Sequence, residues 1–371
     1  SGKRLKMFNQ WLPHVHVDFH EQGVNSPYYF APAAEPYHEV ITDFQRDFQV
    51  TLGRNHAKYF DANGWFYFTK EVFDLLYPSY GDTYPIYNGA IGMTYEQGGS
   101  GQAGLGIVTA IGDTLTLKDR IAHHFTTGLS TVEVSSQNAE KLNQEFRKFH
   151  QNKDFKYKSY VLKGEKDKLD ALKSLLEKHN IEYGDLTSGS YKGHSYGSGS
   201  NGSLSINKNG MVVSTDQPKG TLVKVLFEPN AKLSDSLTYD ITAWSLPYAY
   251  GLDAIASTSA VASQNVQETV PSSNIASGSY AYLTDWNSMD DARFLVALLN
   301  EGIRVRKADH PFTIEGKSFE RGTLIITKGD NENKEDFFVY QPKYKKNKKI
   351  KNIKKDKNNT PFDKLSELRF R

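Results

Sequence analysis

The sequence predicts an α/β fold. Short apolar runs with the two-residue alternation of strands recur along the 371 residues, interleaved with stretches whose apolar residues recur every three to four positions. Hydrophobic residues make up 38% and charged residues 24%, so the chain can bury a core, and its length suits two domains or one large one. Taken in order, residues 11–19 read as a strand. Alternation sends Val15, Val17 and Phe19 to one face and His14, His16, Asp18 and His20 to the other. Residues 25–36 form a loop rich in Pro and Tyr. A helix is expected from Pro36, a residue tolerated in a first turn, because Val40, Phe44, Phe48 and Leu52 recur every fourth position. Residues 70–76 suggest a short helix, 77–89 an aromatic connection, and 90–96 a buried strand. A loop dense in Gly then leads to a long helical region from Thr114 to about Phe149, with room for a break.

Near residue 155 a second α/β unit begins. Residues 156–162 read as a strand, Asp167 can cap a helix with Leu169, Leu172, Leu175 and Leu176 on one face, and a further strand starts at Ile181. Residues 187–203 are a polar stretch of Ser, Gly and Tyr. Strands are expected at 209–214 and 220–227, a helix at 291–301, and strands at 303–306 and 322–327. Residues 343–357 are almost entirely Lys, Asn and Ile, and like charges in blocks resist folding. The expected division is 1–152, 153–335 and a basic, disordered tail 336–371. Lys, Asn and Ile are the products of A/T-only codons, so the tail reads as an out-of-frame end rather than a nucleic-acid arm.

Composition excludes several classes. There is no Cys, which removes disulfides, thiol catalysis and thiolate-bound zinc, so a metal must sit on His, Asp or Glu. A net charge of +2 gives no ground for a nucleic-acid partner. No run has the apolar length of a membrane span, and no signal peptide is visible. The chain does not open with Met, and upstream sequence is expected to be missing.

Three motif matches are decoys. The GxGxxG of residues 99–104 is followed by further glycines at 106 and 112 that frustrate the helix a dinucleotide site needs. The GxSxG of residues 193–197 sits in Ser/Gly-rich sequence instead of a strand–turn–helix elbow. The HxxE of His179 and Glu182 falls at a helix end, where His favours the dipole. A stronger signal is the pair of His20 and Glu96, each closing a strand, with Tyr77, Tyr80, Tyr84 and Tyr87 around them. Imidazole is a common zinc ligand, and a metal-bound water needs a carboxylate to take its proton.

The segments around these two residues, Val17-Asp-Phe-His20 followed by Asn25-Ser-Pro-Tyr-Tyr, and Gly92-Met-Thr-Tyr-Glu96, resemble the second half of the catalytic domain of zinc metallocarboxypeptidases, the carboxypeptidase A-like family. The likeness covers residues 8–150 and is closest to large bacterial members with an extra C-terminal domain. It implies part of a mixed-sheet catalytic domain followed by a second α/β domain, similar to amidotransferases but without a recognisable nucleophile. It also implies a zinc cofactor, a peptide or protein substrate, and a secreted or periplasmic location. His20 would be a zinc ligand, Glu96 the general base, Tyr77 the mobile substrate-facing Tyr with Tyr80 as second choice, and Tyr80 and Tyr28 substrate contacts. Asp18 and Glu21 would orient the ligand.

The chain departs from that family in one respect. The HxxE pair that supplies the other two ligands, and the Arg and Asn that hold the substrate carboxylate, are not upstream of His20 here. The chain is therefore expected to be a fragment that binds zinc weakly or not at all and is inactive alone. Two other readings stay open: a metal hydrolase of amidohydrolase or metallo-β-lactamase type with His14 and His16 as ligands, and a non-catalytic peptide- or glycan-binding protein on a peptidase scaffold.

Overall fold

A computed structural model of the chain describes residues 2–99, 101–102, 104–232, 238, 244–265 and 280–331. The Lys-rich tail of residues 336–371 lies outside the described residues. The chain opens on a helix, α1 (Gly2–Trp11), and β1 (Val15–Gln22) begins at Val15, not at residue 11. After β2 (Tyr28–Tyr29), Pro36 falls in the short strand β3 (Ala34–Tyr37) and not in a helix. The helix starts later, as α2 (Asp43–Asn63), because its N-terminus is fixed by a capping box: the Thr42 side chain takes the Gln45 N–H, and the Gln45 side chain takes the Thr42 N–H. Then follow β4 (Tyr67–Phe68), β5 (Asp74–Leu75) and α3 (Thr83–Ile86). The helix expected at 70–76 is excluded by Lys70 and Val72, both left-handed at φ 60° and 67°. β6 (Ile91–Gly98) matches the expected buried strand. The hairpin of β7 (Gly106–Val108) and β8 (Thr114–Thr116) follows the Gly-rich loop, so no dinucleotide-type helix starts there. The long helical region is α4 (Leu117–Gln137) and α5 (Ala139–Gln151), broken at Asn138.

The first sheet has the order β1-β6-β2-β4, with β1 and β6 parallel and in register from Val15/Ile91 to Gln22/Gly98. Both α2 and α4 pack against β6. Beneath them lies a core of Tyr28, Phe30, Phe48, Leu52, Phe60, Ile91, Met93 and Tyr95, against which Val15 and Val17 also pack.

The second sheet is built from β9 (Ser159–Lys163), α6 (Lys166–Lys178), β10 (Gly184–Leu186), β11 (Gly189–Ser195), β12 (Asn201–Ile206), β13 (Gly210–Ser214), α7 (Gly220–Phe227), α8 (Leu246–Ala249) and β14 (Asp253–Ser257). Its order is β10-β13-β9-β14-β11-β12, and every pairing is antiparallel. Ser/Gly-rich residues 187–203 make the β11–β12 hairpin, which places Ser195 in a hairpin strand and not on a nucleophile elbow. Residues 220–227 are helical: Leu222, Val223, Val225 and Phe227 are all fully buried, so their apolar run carries no helical period.

The described residues divide into two compact units, those within 2–265 together with 286–294, and those within 280–285 together with 295–331. The units therefore part elsewhere than near residue 152. The physical reason is a shared core: Tyr37, Ile41, Leu75, Ile86 and Tyr87 join Tyr160, Leu162, Leu172, Val223 and Phe227 in one buried cluster. Asp167 lies inside α6 and caps a different helix, α9 (Met289–Asn300), by accepting the N–H groups of Met289 and Asp290. In the second unit, β15 (Ala281–Thr284), β16 (Arg306–Lys307) and β19 (Leu324–Thr327) form a sheet in the order β15-β19-β16, and β17 (Phe312–Ile314) pairs with β18 (Lys317–Phe319). A two-pronged Arg306–Asp330 ion pair holds its last turn.

Candidate functional site

Parallel pairing places His20 directly beside Glu96. The His20 Nδ1 lies 2.9 Å from Glu96 Oε1. The two differ sharply in exposure: the His20 side chain is 63% exposed, whereas that of Glu96 is 6%. Glu96 Oε2 is buried without a hydrogen-bond partner. A carboxylate in that state is costly to ionise, and burial pushes the Glu96 carboxyl above its ordinary value. His20 pulls it part of the way back, while Asp18 and Asp82 push it up further.

The floor under the pair is acidic and tightly packed. Asp82 caps α3 by accepting the Thr83 N–H at 2.7 Å and also accepts the Thr94 hydroxyl at 2.9 Å. Burial lifts its carboxyl to about 6. Two glycines make the close approach possible. A Cβ at Gly81 would lie 1.9 Å from Asp18 Oδ2, and one at Gly92 would lie 2.0 Å from the Asp82 carbonyl oxygen. Gly81 and Gly92 thus let the 80–86 turn press onto the face of β1 and β6 that carries Asp18 and Thr94. Gln22 Nε2 donates to Pro27 O at 2.6 Å and Glu96 O at 3.3 Å, fastening the loop to the strand ends.

The other residues expected in a site fall as follows. Tyr28 is corrected: it is 2% exposed, and its hydroxyl lies 2.8 Å from His124 Nδ1 and 2.9 Å from Thr127 Oγ1, so it faces the helices and not a ligand. Its neighbour Tyr29 is the one opposite Glu96 in the sheet, and strand alternation gives it the other face. Burial raises the Tyr29 hydroxyl well above its usual value, with Asp82 and Glu96 adding to the rise. Tyr77 packs edge-on against Tyr80 at 5.2 Å and against Trp244 at 5.9 Å. Tyr80 is bonded to Gly81, whose turn touches Asp18. Tyr84 pairs with His179 at 2.9 Å, which gives the HxxE motif a structural use, and Tyr87 is buried with its hydroxyl on Leu76 O. Glu21 is exposed at the end of β1.

His14 and His16 do not converge with His20. The His14 ring packs on Phe146 at 4.3 Å and the His16 ring on Phe8 at 5.9 Å, and burial lowers the pKa of both. Tyr29, Asp82 and Thr94 were missed by the sequence reading. The one available signal was the Gly81-Asp82-Thr83 cap.

Zinc is tested by the donor set. Among the described residues no group of three or more His, Asp or Glu side chains could hold a metal ion. One exposed imidazole and one buried carboxylate do not fit a zinc site by themselves, since such a site takes three protein ligands and a water. A cavity of about 1150 Å³ lies elsewhere, between residues such as Phe44, Phe149, Tyr160, Lys224 and Glu228. No helix among the described residues is long and apolar enough to cross a membrane. Compared with known protein families, curated proteins and solved structures, the chain finds no match.

Proposed function

We propose that His20 and Glu96 are the proton-handling part of a peptide hydrolase of the zinc metallocarboxypeptidase kind, incomplete in the described residues. The observation that carries this reading is the pair itself. A buried carboxylate with a raised pKa and one free oxygen, touching an exposed imidazole at 2.9 Å, suits a group that takes a proton and gives it back. In this reading Glu96 accepts the proton of the attacking water and returns it to the leaving amine. His20 holds Glu96 Oε1 in place and keeps the rest of its ring toward solvent, where it can serve as one ligand. The substrate is a peptide or protein in a secreted or periplasmic setting. Since the donor set does not hold zinc, no step here runs through the metal.

Titration of the full chain with zinc, followed by calorimetry and by the His20 ring signals in NMR, tests the proposal. The expected result is binding weaker than micromolar that moves the His20 signals and disappears in His20→Ala, with no hydrolysis of a blocked dipeptide bearing a free carboxylate. Tight stoichiometric zinc with hydrolysis lost in Glu96→Gln would overturn the incompleteness. Zinc lost in His14→Ala or His16→Ala and kept in His20→Ala would overturn the assignment of His20.

A further inference from the structure

The cavity of about 1150 Å³ opens where elements of both sheets of the first unit meet. Its walls are residues 39–44 at the start of α2, the end of α5, the connection from Asn152 to Tyr157, Tyr160 of β9, and one side of α7. No residue of β1, β6 or α4 lines it, so it lies apart from the His20–Glu96 pair. Its size is just above the usual span of small-molecule sites, roughly 300–1,000 Å³.

Aromatic rings and carboxylates dominate the lining. Phe44, Phe149 and Tyr157 are half-buried and come from three different walls. Two of these rings already hold a cation of the chain: Lys141 Nζ stands 5.3 Å from the centre of the Phe44 ring, and Lys156 Nζ 4.9 Å from that of Tyr157. The face of an aromatic ring is its negative side, which is what draws them. Both lysines are exposed on flexible stems, so a competing cation can displace them. The charged side chains of the lining lean the same way, five carboxylates against three ammonium groups. Lys224 is shared by Glu39 and Glu228, and Lys148 lies 3.5 Å from Glu145. Among the described residues no cation pairs with Asp43 or Asp154, and a concave wall of one sign concentrates the opposite ion. Tyr160 is fully buried, and its hydroxyl has no hydrogen-bond partner among the described residues. Burial, with the charge of Glu228 adding to it, raises that hydroxyl well above its usual value. It therefore stays neutral, with lone pairs free to accept an N–H.

We infer that this cavity binds a small organic ammonium ion with an apolar body. Each part of the occupant follows from the lining. The rings of Phe44, Phe149 and Tyr157 take the apolar body, and the ring faces together with Asp43 and Asp154 favour a positive charge. The Tyr160 oxygen accepts an N–H that no described residue supplies. An anion fits poorly, because every lysine of the lining is engaged: Lys224 and Lys148 by carboxylates, Lys156 by the Tyr157 ring. The inference is independent of the hydrolase reading, and its test uses no metal.

The probe is phenethylammonium, added to the full chain, with phenethyl alcohol as its uncharged counterpart. Backbone amide NMR should show shifts at Phe44, Tyr157 and Thr221 and none at His20 and Glu96. The ammonium should bind at least tenfold more tightly than the alcohol, a comparison that leaves the protein untouched. Its affinity should fall fivefold or more in Asp43→Asn with Asp154→Asn, and rise in Lys156→Ala, which frees the Tyr157 ring. All three are exposed positions, and circular dichroism checks the fold. Tyr160→Phe should weaken the ammonium without lowering stability, because the lost hydroxyl has no described partner. Equal affinity for ammonium and alcohol overturns the inference, since the cavity would then take apolar bodies whatever their charge. Absence of shifts at millimolar probe overturns it, as do shifts centred on His20 and Glu96 or an affinity unmoved by these substitutions.

Discussion

Glu96 stands under opposed influences. Burial, Asp18 and Asp82 favour its neutral form, and only His20 favours its charge. Removing the imidazole in His20→Ala should move the Glu96 carboxyl further above the usual carboxylate range, and Asp18→Asn should move it down. Carbon-13 NMR of the Glu96 carboxyl across pH reads both shifts, and unchanged titration in both variants would remove Asp18 and His20 as its controls. His20 and Glu96 were legible in the sequence because each closes a strand whose alternation is plain. Tyr28 was named and Tyr29 was not, and two adjacent tyrosines give no sign of which faces the carboxylate. That choice depends on the antiparallel bridge of Tyr29 to Glu96, a pairing between residues 67 positions apart that local pattern does not encode. Asp82 was hidden for a similar reason: its carboxyl matters through Thr94 on a neighbouring element.

Among the elements, β6 holds the site's geometry through Gly92. Alanine there meets the Asp82 carbonyl oxygen, a backbone atom that can retreat only by moving α3. Gly92→Ala should destabilise the chain by about 3 kcal/mol, the upper part of the range for forcing one extra carbon into a packed site. Urea unfolding monitored by circular dichroism checks it, and a loss under 1 kcal/mol would mean that the turn of residues 80–86 is not pinned there. The helices α4, α5, α6 and α9 and the strands β1, β6, β9 and β13 were legible, since each carries its period within one run of sequence. The start of α2 was placed too early because Val40 happens to continue the fourfold spacing of Phe44, Phe48 and Leu52. The capping box at Thr42 and Gln45 overrides that spacing. α7 reads as a strand because it is buried all round, and an element without a solvent face shows no period.

At the scale of the whole first unit, both sheets are joined by buried polar contacts as well as by the common core. His38 Nε2 lies 2.6 Å from Glu228 Oε1, and Val40 donates its N–H to His38 Nδ1. Lys219, 6% exposed at the start of α7, donates to Asn9 Oδ1 at 2.9 Å and to Asn88 Oδ1 at 2.6 Å. Neither of those partners carries a charge, and burial pulls the Lys219 ammonium from 10.5 down to about 8. In the unfolded chain it stays protonated up to its ordinary value, so between pH 8 and 10.5 unfolding takes up a proton. Stability should therefore rise with pH across that window by about 3 kcal/mol from this group. The rise should be absent in Lys219→Met, and comparing the two proteins by denaturant unfolding at pH 7.5 and 10.5 isolates it. Equal slopes would show that Lys219 reaches water.

The shared core also bears on how such a chain can change over generations. A gene crossover near residue 152 would separate Tyr37, Leu75 and Tyr87 from Tyr160, Val223 and Phe227, leaving each product with an apolar face and no cover. Exchange of one sheet for an unrelated module would therefore require the replacement to match the other's half of that cluster, side chain by side chain.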